Sequence, residues 1–135
     1  MGVVNHRAVQ NARRAIRLLI VDDSNLIRRR IERSQQIDDL EVVGSAANGV
    51  EALEMFRETD PDLVTMDLTM PRMDGIECIE NLVRLKPDVR ILVISALADK
   101  ATAIDAMEKG ANGFLNKPFT DRQLNDAIAE LIRAV

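Results

Sequence analysis

The 135-residue chain reads as a doubly wound α/β domain, five parallel strands alternating with five helices. Three observations predict it. Five short apolar runs, near 18–21, 40–43, 63–67, 91–94 and 113–116, recur along the chain, each too short for a helix and closed by polar or helix-breaking residues. Stretches with helical apolar spacing separate them. The runs are largely unbroken rather than alternating, as in a parallel sheet covered on both faces.

Composition sets the outer bounds. The length suits one domain with a real core and is short for two. Apolar residues at 47% and charged ones at 30% describe a soluble globular chain. Three Phe with no Tyr or Trp argue against a base-stacking platform, and a net charge of −4 against a general DNA-binding surface. Direct nucleic-acid contact is therefore not expected. Cys78, the single cysteine, leaves no internal disulfide, which fits a reducing cytoplasm. Neither a membrane span nor a signal-peptide core is visible.

Residues 1–15 carry Arg7, Arg13 and Arg14 with no acid, leaving 15 basic and 22 acidic residues in the rest. They read as an N-terminal extension outside a domain of residues 16–135, with a docking arm for an acidic partner as the second reading. His6 there has no neighbouring ligand to suggest a metal.

The first strand ends in Asp22-Asp23. Ser24 is a natural N-cap for a helix to about residue 37, with Ile27 and Ile31 inward and Arg28, Arg29, Arg30 and Arg33 on a solvated face. Asn48-Gly49 opens a second helix, which Asp60-Pro61 breaks. The third strand ends at Asp67, and Pro71 and Asp74-Gly75 turn the chain into a helix over 75–85 with Ile76, Ile79, Leu82 and Val83 buried. Cys78 beside that stripe reads as a small core residue. The fourth helix, about 100–109, is alanine-rich; Ile104 and Met107 are its expected anchors, Gly110 its C-terminal stop. Lys117-Pro118 stops the fifth strand. The last helix, about 121–134, repeats Leu124, Ala127, Ile128, Leu131, Ile132 and Val135 at helical spacing.

Right-handed crossovers bring the carboxyl ends of all parallel strands to one edge. Asp22, Asp23, Asp67, Ser95 and Lys117 gather there. Asp67 by itself could ligate a metal, act as a nucleophile or cap a helix. Carboxylates ending adjacent strands, about 4.8 Å apart, can share a cation. Without one they repel, so they need a positive partner or raised pKa values. Oxygen ligands without His or thiolate favour Mg2+, and a Mg2+, a lysine and a hydroxyl around a carboxylate make a receptacle for a phosphoryl group.

With these residues in place, the chain resembles the receiver domains of two-component response regulators over residues 17–134. The likeness rests on Leu18-Leu19-Ile20-Val21-Asp22-Asp23, on Asp67-Leu68-Thr69-Met70-Pro71-Arg72-Met73-Asp74-Gly75, on Ile94-Ser95-Ala96 and on Lys117-Pro118-Phe119. The resemblance implies a flavodoxin-like sheet in order 2-1-3-4-5, with Asp67 as phosphoacceptor. It implies Mg2+ held by Asp23, Asp67 and the main-chain carbonyl of Thr69, with Asp22 acting through water. Lys117 would pair with Asp67 and then with the phosphoryl group, preceding a cis bond to Pro118. Ser95 would donate its hydroxyl, and Phe114 would move inward with it. A sensor histidine kinase would supply the phosphoryl group. A downstream protein would read the fourth helix, fifth strand and fifth helix, and a phosphorylation-linked dimer is among the assemblies implied. The chain would catalyse only its own phosphorylation and dephosphorylation. Thr69 and Leu97 stand where the family tunes attack by water, and an apolar Leu97 suggests slow self-dephosphorylation.

A free-standing, diffusible regulator of the chemotaxis type is expected, with a receiver cut from a longer DNA-binding or enzymatic regulator as the alternative. An aspartyl phosphatase of the haloacid dehalogenase type would need a second Asp where Thr69 stands. A Rossmann nucleotide binder would need a glycine-rich turn where Asp22-Asp23-Ser24 is found.

Overall fold

The computed structural model describes residues 15–70, 73–96 and 99–133. Strands β1 (Ile16–Val21), β2 (Leu40–Ala46), β3 (Leu63–Met66), β4 (Arg90–Ser95) and β5 (Gly113–Asn116) alternate with helices α1 (Asn25–Ser34), α2 (Gly49–Thr59), α3 (Gly75–Leu85), α4 (Lys100–Glu108) and α5 (Asp121–Arg133). The strands form one parallel sheet in the order β2-β1-β3-β4-β5, as expected. Residues 1–14, Pro71, Arg72, Leu97 and Val135, on which several sequence expectations fall, lie outside the described residues.

Two apolar layers sandwich the sheet. Leu19, Val21, Val64, Met66, Ile91 and Val93 point to α2, α3 and α4, where Phe56, Ile79 and Leu82 meet them. The intervening residues Leu18, Ile20, Leu63, Leu92 and Ile94 face α1 and α5, against Ile31, Leu124 and Ile128. This division follows from the period of two along each strand. Both faces are therefore buried, which is why the strands carry apolar residues at consecutive positions. Thr65 is the exception on β3: it is buried, and its hydroxyl meets no hydrogen-bond partner among the described residues. Replacing it with valine exchanges an unpaired hydroxyl for a methyl group. Thr65→Val is therefore expected to raise unfolding stability by about 1 kcal/mol in urea melts.

Each helix begins with a side-chain cap. Ser24, Asn48, Asp74 and Asp99 accept from Ile27, Glu51, Glu77 and Thr102 main-chain N–H groups. Thr120 and Gln123 cap α5 reciprocally, each main-chain amide donating to the other side chain. Thr102 donates both its amide and its hydroxyl to Asp99, holding that carboxyl below its usual range. At the other ends, Asp60 closes α2 in the left-handed region, and Gly110, at φ 123°, turns the chain after α4.

Three sequence expectations need correction. Helix α1 stops at Ser34, because Gln35 is extended and its side chain accepts from the Ile37 amide. Strand β2 continues past Val43 to Ala46, because Gly44, Ser45 and Ala46 still pair with Leu19, Ile20 and Val21 beyond a register shift. Ile104 and Met107 are not the anchors of α4: they are 47% and 43% exposed, while Ala106 is fully buried. Ala106, small enough to allow close approach to the core, faces inward instead, while Ala101 is exposed. Among the described residues, no helix is long and apolar enough to cross a membrane.

Candidate functional site

The carboxyl ends of β1, β3, β4 and β5 bring the expected groups together. Asp22 follows β1 directly and is buried; Asp23 beside it is exposed; Asp67 follows β3 and is buried. One carboxylate oxygen from each of the three lies within 4.8 Å of the others. Such a set of hard oxygen donors, with two of its carboxylates removed from water, fits a divalent cation of the Mg2+ kind.

Lys117 enters from the end of β5. Its Nζ donates to Asp22 Oδ2 at 2.7 Å and stands 3.7 Å from Asp67 Oδ1. In this structure its closer partner is thus Asp22, not Asp67. The other Asp22 oxygen accepts from the Ser24 amide at 2.9 Å, so both of its oxygens are engaged. Asp67 Oδ1 accepts from the Thr69 amide at 3.3 Å. Thr69 thus meets Asp67 through its N–H. The Lys117–Pro118 bond is cis.

Ser95 ends β4, is fully buried, and its carbonyl accepts from the Lys117 amide. Phe114 pairs with Val93 on the neighbouring strand and packs into the layer under α2, α3 and α4. Ser95, two residues beyond Val93, lies on that same face of the sheet. The two residues expected to move together therefore share a surface.

Gly75, at the start of α3, packs closely against Asp67 and Leu68. The Gly75 amide donates to the Leu68 carbonyl, and a Cβ at Gly75 would stand 2.3 Å from the Asp67 carbonyl oxygen and 2.6 Å from Leu68 Cα. Main chain cannot yield to such a contact, so the Asp-Gly pair read as a turn signal is also a packing requirement.

Two arginines assigned to a solvated face have specific roles. Arg28 donates to the Asp22 carbonyl at 2.6 Å. Arg30 donates to the Phe119 carbonyl and stacks on the Phe119 ring, 4.5 Å from its centroid. Periodicity could place them on the helix but not aim them, since their acceptors are main-chain carbonyls with no sequence signature.

Electrostatics single out Asp67. Burial, then the neighbouring Asp22 and more weakly Asp23, push its pKa up to about 6, against the lowering effects of Lys117 and the Thr69 amide. Cys78 is also buried, which pushes its thiol up to about 12 and leaves it an unreactive core group.

A pH dependence follows. With a folded pKa near 6 against an unfolded value near 3.8, the folded chain holds a proton that the unfolded chain has released. Asp67 then favours folding fully below about pH 4, and that contribution is lost as pH rises through about 6. In metal-free buffer, stability is expected to increase by about 1–2 kcal/mol from pH 7 to pH 5 in denaturant melts, with the slope reduced in Asp67→Asn. Mg2+ affinity should fall over the same interval, because the ion competes with that proton.

This acidic pocket, at the strand ends of a sheet ordered 2-1-3-4-5, defines a class: α/β proteins with a carboxylate cluster suited to a divalent cation at the carboxyl edge of the sheet. Comparison with known proteins narrows the class. A family model described as "Response regulator receiver domain" matches residues 18–129. The chemotaxis protein CheY of Bacillus subtilis is 41% identical over 114 residues, covering 84% of this chain and 95% of that protein. A protein-glutamate methylesterase/protein-glutamine glutaminase of Pseudoalteromonas atlantica is 46% identical over 123 residues, covering 87% of this chain but 32% of the relative. Among solved structures, the CheX–CheY–BeF3–Mg complex from Borrelia burgdorferi aligns with a TM-score of 0.83 at 30% identity, covering 87% of this chain and 89% of that one. The chain belongs to the response regulator receiver family.

Proposed function

We propose that the protein is a phosphorylation-driven signalling switch. An Asp67 carboxylate oxygen attacks the phosphorus of a phosphohistidine on a sensor histidine kinase; the P–N bond breaks, and the histidine leaves as the phosphoryl group passes to Asp67. The observation that carries this reading is the convergence of Asp67, two further carboxylates and Lys117 within a single pocket.

Asp23, Asp67 and the Thr69 carbonyl would hold Mg2+, which when bound supplies positive charge for the phosphoryl oxygens. Asp22, its two oxygens already accepting, holds Lys117 in place and would act on the ion through water. Lys117 turns from the carboxylates to a phosphoryl oxygen. Ser95 donates its hydroxyl to another, and Phe114 follows it toward the interior. The relative crystallised with CheX, BeF3 and Mg supports both a divalent ion and a protein partner for this chain.

Phosphorylation then biases the surface made by α4, β5 and α5, on which a downstream protein docks; self-association on phosphorylation belongs to the same reading. The exposed Ile104 and Met107 on α4 suit a protein partner. The module acts in the cytoplasm and catalyses only changes in its own phosphorylation. The similarity to chemotaxis proteins CheY supports a chemotaxis-type regulator, read here as free-standing. The methylesterase relative, matched over a third of its length, favours the second reading, a receiver within a longer regulator.

Incubation with Mg2+ and a small acyl phosphate, followed by intact mass, tests the phosphoacceptor. Uptake of one phosphoryl group that chelation abolishes is the expected result; no uptake, or uptake elsewhere than Asp67, would overturn the reading.

A further inference from the structure

Arg30 makes three contacts with the segment that leads from Lys117 into α5. Its guanidinium stacks on the Phe119 ring, donates to the Phe119 carbonyl and stands 3.8 Å from Asp121 Oδ1. The ring is 3% exposed and belongs to the apolar layer between the sheet, α1 and α5, so it is a fixed platform. One planar cation therefore grips the main chain two residues beyond Lys117.

The neighbouring grip comes from the same helix. Arg28 holds the Asp22 carbonyl at 2.6 Å, and Asp22 is the nearer partner of Lys117. Helix α1 thus fastens the two main-chain segments whose side chains meet as the Lys117–Asp22 pair. Further along, Asn125 of α5 donates to the Ser34 carbonyl and accepts from the Gln36 amide, so α1 and α5 cannot slide past one another without loss.

We propose that Arg30 is a positioning residue for Lys117. By fixing the Phe119 carbonyl and ring, it sets where the lysine ammonium meets an incoming phosphoryl oxygen. The idea rests on the reading of Asp67 as phosphoacceptor. A lysine at position 30 would keep the charge but lose the planar stack and the forked donors.

The test follows Asp67 phosphorylation by acetyl phosphate and Mg2+, read by intact mass, in the full chain. Arg30→Ala, Arg30→Lys and Arg30→Met are each compared in the wild-type and Lys117→Ala backgrounds. Misplacement of a catalytic group by a fraction of an ångström is expected to lower the maximal rate about 10-fold in Arg30→Ala, with the half-saturating Mg2+ concentration within about 2-fold. Arg30→Lys should recover little of the loss. In the Lys117→Ala background the same changes should alter the rate less than about 2-fold, because the group being positioned is gone.

Equal losses in both backgrounds would overturn the proposal, as would an unchanged rate in folded Arg30→Ala. Should Arg30→Ala fail to fold, Arg30→Met, which keeps the apolar stem on the ring, decides by the same comparison. A wild-type chain that takes up no phosphoryl group would instead sink the phosphoacceptor reading, and this proposal with it.

Discussion

Asp67→Asn is expected to take up no phosphoryl group and yet to melt at a higher temperature than the wild type in metal-free buffer. The two outcomes have one cause. Asp67 is buried beside Asp22, and its carboxyl is pushed up to about 6, so at neutral pH the folded chain holds its charge at a cost. An amide of the same shape removes the charge and keeps an acceptor for the Thr69 N–H. The gain should be about 2 kcal/mol, or roughly 5–10 °C in the melting temperature. Far-UV circular dichroism with and without chelator measures the second outcome, intact mass the first. Saturating Mg2+ should reverse the order of stability, because the wild type gains more from the ion. An asparagine variant that melts no higher than wild type would contradict the electrostatic account even if phosphorylation were lost.

Lys117→Ala is expected to have the opposite effect on stability and a smaller but large effect on rate. Lys117 joins Asp22 at 2.7 Å and Asp67 at 3.7 Å, with 18% of its side chain exposed. Removing it leaves two buried carboxylates facing each other without a cation. That should cost about 2–4 kcal/mol in metal-free urea melts. Mg2+ should recover more stability in the variant than in the wild type, since it then supplies the missing charge. Loss of one charge-assisted hydrogen bond to the phosphoryl group should slow phosphorylation about 10- to 100-fold at saturating donor. A variant as stable as wild type would show that Lys117 does not balance the acids, and one phosphorylated at the wild-type rate that it does not assist transfer.

The strands and the gathering of site groups at one edge were legible because they rest on strong local signals. A buried parallel strand must carry consecutive apolar residues, and a crossover has one hand. Asp22, Asp67, Ser95 and Lys117 therefore arrive together however the helices pack. The helices were less legible where the signal was weak. In α4 the inward residue, Ala106, offers too little apolar area to mark its face, so the larger Ile104 and Met107 point the sequence reading to the wrong one. The end of α1 depended on Gln35, an unremarkable helix former whose side chain caps the following turn. Most hidden were Arg28 and Arg30. Their acceptors lie 6 and 89 residues away and are main-chain oxygens, which no spacing rule marks.

The shallow seat of α4, made by Ala106, has one more consequence. Ala106 is the buried residue of that helix, whereas α3 seats Cys78, Ile79 and Leu82. Tilting or rotating α3 would tear apart interlocked large side chains. A shallow contact resists far less, so α4 is expected to be the helix most easily displaced from the sheet, with its amides exchanging with deuterium before those of α3.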